Sequence, residues 1–341
     1  MIKAIWFNNK QKGNEILQPD FFIPKTHFCL YAELEMLAFP ILVNVSVWCA
    51  GENTFNKTYR IEDAESRTAF KFEIYAEQST FILRDTADTL AADPDQIDVE
   101  IFARNGSYAK TILCEYATIS GKITDFDSKP FPAAVVCNFC GFEGMETGMG
   151  VWSDLDGKYS ITLPKAEYNS IFIDDNSYGK TSLEAWCTKM IVDQDEIHDF
   201  KIGNGEAYSL DVWSNNGGFP SLFVSFRPMV LSYAIKQSKQ NIHVNNKSYS
   251  LIDMCPDIDI NLVSVKINSH RANIISIQKI IETGQSGIAM PMYILQIERP
   301  VAVGKQTLVL EYNFIDANGD AVQFQGRTQF NYANVYGLML R

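Results

Sequence analysis

Cys137-Asn138-Phe139-Cys140 is the side-chain spacing in this chain that most invites metal or redox chemistry. A C-x-x-C pair binds zinc when a second pair or histidines complete a tetrahedral set, and works as a redox couple when it opens a helix after a strand. No partner pair or histidine stands at zinc spacing, and the stretch from Gly141 to Gly150 does not read as a helix. Two cysteines three apart on one strand also point to opposite faces, so both read as structural. The four histidines, His27, His198, His243 and His270, lack the spacing of a helical zinc pair and read as surface or satisfied residues. Asp154-Leu155-Asp156-Gly157 echoes a calcium loop, but Lys158 falls where a third oxygen ligand belongs and the closing bidentate Glu is missing. Asp174-Asp175 and Asp193-Gln194-Asp195-Glu196 read as solvated turns. There is no G-x-S-x-G elbow, P-loop or dinucleotide fingerprint. The sequence therefore predicts no catalytic residue, no metal ligand and no cofactor in this chain.

One run stands out for recognition rather than catalysis. Val212 to Met229 combines Trp213, the amides Asn215 and Asn216, Gly217-Gly218, Phe219, Phe223, Phe226 and Arg227. Three uses fit these residues: a Gly-Gly turn between core strands, a subunit interface with an aromatic–arginine centre, or a sugar or aromatic ligand contact. The candidate interface or ligand residues are Trp213, Asn215, Asn216, Phe219, Phe226 and Arg227, with Arg227 the first to truncate. Tyr178 to Trp186 is a second run of aromatic and charged residues with the same three readings.

The elements that must position these residues are strands. Ile41–Trp48 places Val43, Val45 and Val47 on one face, Phe70–Ile74 alternates, and Val99–Phe102 leads to the hairpin signal Asn105-Gly106. Ile119 to Asp125, Ala133 to Cys137 and Lys158 to Leu163 are strands separated by the turns Asp127-Ser128-Lys129-Pro130 and Asp154-Leu155-Asp156-Gly157. Further strands are expected at Leu262–Ile267, Met292–Ile297, Thr307–Phe314 and Ala321–Phe324, with helices only at Thr86–Ala92 and Met229–Lys236. The length of 341 residues suits two or three domains. The predicted class is all-β: three packed β-sandwich-type domains over 1–117, 118–205 and 206–341, with a flexible joint near Phe200–Gly205. A net charge of −12 argues against nucleic acid and anionic membrane surfaces. No apolar run reaches spanning length, and MIKAIWFNNKQKGNEIL lacks an export core. With seven scattered cysteines, these features predict a soluble, cytoplasmic protein with reduced thiols.

Ser120-Gly121-Lys122-Ile123-Thr124-Asp125, Lys129-Pro130, Ala133-Ala134-Val135, Asp156-Gly157-Lys158-Tyr159-Ser160, Leu163-Pro164 and Tyr168 carry a resemblance. On them the middle quarter of the chain resembles the carboxypeptidase regulatory-like (transthyretin-like) family. Ser128 and Ala133 depart from it, since the family usually has Gly at the first position and often at the second. The resemblance implies a β-sandwich scaffold, without the metal and base residues of the peptidase it accompanies. The whole chain resembles the long, three-domain form of the β subunit of bacterial C-glycoside deglycosidases. That resemblance rests on the three β domains with a transthyretin-like centre and on the runs NNGGFPSLFVSFRPM and KQTLVLEYNF. It implies a partner, a barrel-type α subunit carrying a divalent metal (manganese or similar) and the acid–base residues. The complex would cleave the C–C bond of a 3-oxo-C-glycoside of an aromatic aglycone such as an isoflavone. A carbohydrate- or protein-binding β-sandwich without a catalytic role is the alternative.

Overall fold

The computed structural model describes residues 2–8, 28–34, 40–62, 80–85, 95–104, 106–113, 115–139, 149–215, 220–235, 240–284, 287–300, 302–316 and 319–333. These are almost entirely strand, so the chain is an all-β protein. The expectations for Phe70–Ile74 and Thr86–Ala92 fall outside the described residues.

Among the described residues, seven strands precede residue 115. β1 (Ile2–Asn8), β2 (Phe28–Leu34) and β5 (Thr80–Asp85) form one sheet. β3 (Ile41–Cys49), β4 (Glu52–Ile61), β6 (Gln96–Ala103) and β7 (Gly106–Leu113) form a second, in the order β4-β3-β6-β7. The alternation read from the sequence is the burial pattern here: Val43 and Val45 are buried beside Val99 and Ile101 of β6.

The middle of the chain contributes β8 (Tyr116–Thr124), β9 (Ala134–Phe139), β10 (Met149–Trp152), β11 (Lys158–Pro164), β12 (Ala166–Asp174) and β13 (Ala185–Val192). Two short strands follow, β14 (Glu196–Ile197) and β15 (Phe200–Lys201), both parallel to β8. Asp154 sets the β10–β11 turn: its Oδ1 accepts from the backbone of Asp156 and Lys158 at 2.9 and 2.8 Å, so the carboxylate is spent on the turn. Tyr159, Ile161 and Leu163 then face inward and pack with Ile119 and Ile123 of β8 against Val135, Ile171 and Cys187 of the opposing sheet. Gly121 lets the chain cross closely, since a Cβ there would lie 2.1 Å from the carbonyl oxygen of His198.

The remainder is β16 (Gly205–Trp213), β17 (Ser221–Val230), α1 (Leu231–Ile235), β18 (Gln240–Val244), β19 (Lys247–Leu251), β20 (Val263–Ile267) and β21 (His270–Arg271). Four long strands complete it: β22 (Ile274–Thr283), β23 (Ile288–Glu298), β24 (Gly304–Ile315) and β25 (Ala321–Tyr332). The expected helix over Met229–Lys236 is shorter than its pattern, because Met229 and Val230 stay in β17, paired with Glu206 and Gly205 of β16. β25 runs eight residues past its expected end at Phe324, held along its length by β24.

The two latter parts share one sheet. Its order is β10-β9-β12-β13-β25-β24-β20-β21, and β13 and β25 meet in parallel through Trp186↔Gly326, Cys187↔Arg327 and Thr188↔Thr328. Strand alternation then gives the sheet two differently used faces. On the face carrying Ala185 and Cys187, β8 and β11 close one core. On the opposite face, Phe324, Leu310 and Val265 pack under β16, β17 and β23, closing a second core. The joint at 200–205 is pinned rather than flexible. Leu183 N donates to the Gly203 carbonyl at 3.1 Å and Gln323 N to Asn204 Oδ1 at 3.1 Å, while Asn204 Nδ2 donates to the Ala321 carbonyl.

Gly326 is where the second sheet comes closest: a Cβ there would sit 2.7 Å from Ala207 Cβ and 3.2 Å from Leu210 Cδ2. We expect Gly326→Ala to destabilise the fold by about 1–3 kcal/mol through overpacking, with part regained when Ala207→Gly is added. Denaturant midpoints of the single and double variants check this; no cost for the single variant would place the close approach elsewhere.

Candidate functional site

Of the residues expected to recognise a partner, the described ones on the paired strands β16 and β17 divide between the two faces. Trp213 and Phe223 are register partners, both half-buried, and their rings stack at 5.7 Å and 20°. Arg227 lies on the same outward face, four residues along β17 from Phe223. Its guanidinium is paired with Glu282 of β22, and its Nε–H is buried without an acceptor. Phe226, the neighbour of Arg227, must point the other way. It is fully buried, stacked on Tyr293 at 6.0 Å and near Phe324 at 6.2 Å, so it offers a partner or an aglycone no surface. Asn215 is exposed at the end of β16, and Asn216 and Phe219 lie outside the described residues. Strand alternation across Phe226-Arg227 was the available signal that both could not face outward.

The larger concavity lies elsewhere, on the face of the shared sheet that the second core leaves uncovered. There Thr307, Val309 and Glu311 of β24, Gln325 and Arg327 of β25 and Lys266 of β20 floor a groove of about 780 Å³. The segment from Gln194 to Lys201 and the end of β8 form its wall. The wall is held by a polar network that short-range sequence reasoning could not assemble, because its members are more than a hundred residues apart. Arg327 donates through Nη1 to His198 Nδ1 at 2.9 Å and through Nη2 to the Asp199 carbonyl at 2.6 Å. Since a guanidinium can only donate, His198 carries its ring proton on Nε2 and gives it to Glu196 Oε2 at 2.7 Å. Both ring nitrogens of this buried histidine are thus engaged, which makes it a brace between β14 and β25.

Glu196 is the anionic centre of the brace. Burial raises its pKa, but hydrogen bonds from His198, Lys305 and Gln329, with the charge of Lys305, outweigh burial and bring it down to about 2. Lys305 also pairs with Asp193, and Gln329 Nε2 donates to Glu196 at 2.9 Å.

The opposite face of the same junction carries carboxyls shifted the other way. Glu184 and Glu206 are buried, and Trp186 Nε1 donates to Glu206 at 3.3 Å while its ring stacks on Phe172 at 5.0 Å and meets Tyr208 edge-on at 5.5 Å. Desolvation, then mutual repulsion, raises Glu206 to about 8. Desolvation and the charge of Asp174 raise Glu184 to about 7. This is the Tyr178–Trp186 run of the sequence, and Tyr178 is half exposed beside the pair. Cys137 is buried in β9 beside Cys187 with its thiol pushed well up by burial, while Cys140 and His27 lie outside the described residues. His243 and His270 are exposed. Among the described residues no group of three or more His, Cys, Asp or Glu side chains is placed to hold a metal ion, and no helix is long and apolar enough to cross a membrane.

Comparison with family models and with curated proteins returns no match. Among solved structures, a provisional carbohydrate-binding protein from Bacteroides uniformis is 11% identical, covering 63% of this chain and 99% of its own, with a TM-score of 0.23. The major pilin subunit of Bacillus cereus is 12% identical, covering 62% of this chain and 68% of its own, at 0.19. The TIE protein of Bacillus anthracis is 8% identical over 97% and 76%, at 0.20. Superpositions this loose carry no argument about this chain.

The raised carboxyls give stability a definite pH dependence. A folded-state pKa above the unfolded value stabilises fully below the unfolded value, and that contribution is lost as pH rises through the folded one. We expect stability to fall by roughly 1–3 kcal/mol between pH 5 and about pH 8 from this pair, and Glu184→Gln/Glu206→Gln to flatten that slope. Denaturant unfolding across the window checks it; parallel slopes for both proteins would remove the pair as the cause.

Proposed function

We propose that this chain is the non-metal-bearing β subunit of a hetero-oligomeric C-glycoside deglycosidase, acting through binding and bracing. The reading rests on the resemblance of the chain to that subunit family. The observation that supports it is the Trp213–Phe223 stack on the outward face of β16–β17, with Arg227 on the same face. A stacked, half-buried aromatic pair on the face that also carries an arginine has the composition of an interface centre.

Breaking the C–C bond of a 3-oxo-C-glycoside needs the ketone as electron sink, a base for the proton beside it, and stabilisation of the departing phenolate. In this reading the sink and base are held by a barrel-type α subunit with its divalent metal. The β chain then seals the barrel's mouth against water and borders the aglycone with Trp213.

Co-expression with a barrel-type α subunit tests this. We expect stoichiometric recovery of α by the wild-type chain, about 30-fold weaker assembly for Trp213→Ala or Arg227→Ala as for a hot-spot loss, and a parallel loss of 3-oxo-C-glycoside cleavage. Unchanged circular dichroism keeps misfolding out of the comparison. No complex with the wild-type chain overturns the reading; full assembly and turnover by both variants removes this face as the interface.

A further inference from the structure

We propose that the groove over β20, β24 and β25 is a binding site for a small, hydroxyl-rich anion, a sugar bearing a carboxylate or a phosphate. The charge balance of its lining points there. Five cations, Lys122, Lys201, Lys266, Lys305 and Arg327, face three carboxylates, Glu196, Asp199 and Glu311. Lys305 is held between Glu196 and Asp193, and Lys201 is matched by Glu311 at 2.8 Å. Arg327 is held by a ring nitrogen and a backbone carbonyl, both neutral acceptors. Lys122 and Lys266 make no ion pair among the described residues, and the carboxylate of Asp199 accepts from the backbone N–H of Lys122 at 2.8 Å. With Asp193 counted, five cations stand against four carboxylates, and Lys122, Lys266 and Arg327 are the three that no carboxylate pairs among the described residues.

A second observation comes from Arg327 itself. Its two Nη groups are engaged and its guanidinium lies over the Phe200 ring at 5.3 Å, so the positive charge is held in place at the groove floor. The remaining lining suits hydroxyls: Thr124, Thr307, Ser269 and Gln194 supply donors and acceptors. A volume of about 780 Å³ accommodates a mono- or disaccharide. The floor exists because the shared sheet closes its second core on the other face, leaving this one polar and open.

Calorimetric titration of the full chain with D-glucuronate, D-glucose 6-phosphate and D-glucose tests the site without any partner subunit, so its outcome is separate from that of the assembly experiment. We expect binding of at least one acidic sugar, no detectable binding of glucose, and at least 30-fold weaker binding by Lys122→Gln/Lys266→Gln. Preference for glucuronate identifies a carboxylate site, and preference for glucose 6-phosphate a phosphate site. Lys266 is exposed and unpaired, so Lys266→Gln alone, with about fivefold weaker binding expected, carries the test if the double variant does not fold. Absence of binding by both acidic sugars, glucose binding as tightly as they do, or an affinity unchanged in the variants would overturn the proposal.

Discussion

Three residue pairs between β13 and β25 hold the larger part of this molecule together. Trp186↔Gly326, Cys187↔Arg327 and Thr188↔Thr328 join strands about 140 positions apart, so the loop-closure entropy of bringing them together is offset only when packing rewards it on both sides. The reward is two cores, one on each face of a single sheet. A parallel ladder is the weaker kind per residue, and this one is short, so the cores and the side-chain brace at its flank carry the joint. Neither sandwich is complete without strands that the other also uses as neighbours.

The junction also explains why two sets of buried carboxyls behave oppositely within one sheet. On the His198 face, Glu196 meets three donors, one of them the lysine Lys305, which hold it ionised. On the Trp186 face, Glu184 and Glu206 have few donors beyond an indole N–H, and desolvation, with the charge of Asp174 on Glu184 and of Glu184 on Glu206, raises both pKa values. Burial acts the same way on both faces. The supply of donors decides the sign.

Much of the strand content was legible because it was local. Tyr159, Ile161 and Leu163 alternate in the sequence and face inward in the fold, and the Asp154–Gly157 turn carries its own hydrogen-bonding carboxylate. The parallel meeting of β13 and β25 was not legible, since nothing in the residues around Cys187 names Arg327 as its neighbour. For the same reason His198 read as an isolated histidine, although it stands between Glu196 and an arginine 129 positions away. The joint at Gly203-Asn204-Gly205 reads as flexible from composition; the Gly203 carbonyl accepts from Leu183 N and the Asn204 side-chain amide bonds the backbone of Ala321 and Gln323, partners that composition does not contain. Within the Trp213–Arg227 run the aromatic content was plain, but the face each residue takes depends on register, and that separates Phe226 from Arg227.

Alternation also separates the two surfaces proposed for recognition. Trp213, Phe223 and Arg227 occupy the outward face of the β16–β17 sheet, whereas the groove occupies the far face of the sheet beneath it. Between them lies the second core, where Phe226 of β17 meets Phe324 of β25, itself stacked on Tyr312 of β24. Packed sheets of this kind are about 10 Å apart, so a ligand in the groove and a protein on the aromatic face cannot touch. Any influence of one on the other would have to pass through a close-packed core whose shared element is β25. Its Arg327 faces the groove while its neighbour Gly326 abuts Ala207 of β16. A rigid strand that presents consecutive residues to opposite sites transmits displacement only by moving as a whole, and its twelve ladder pairs with β24 oppose that. The fold therefore favours two independent surfaces over a coupled pair.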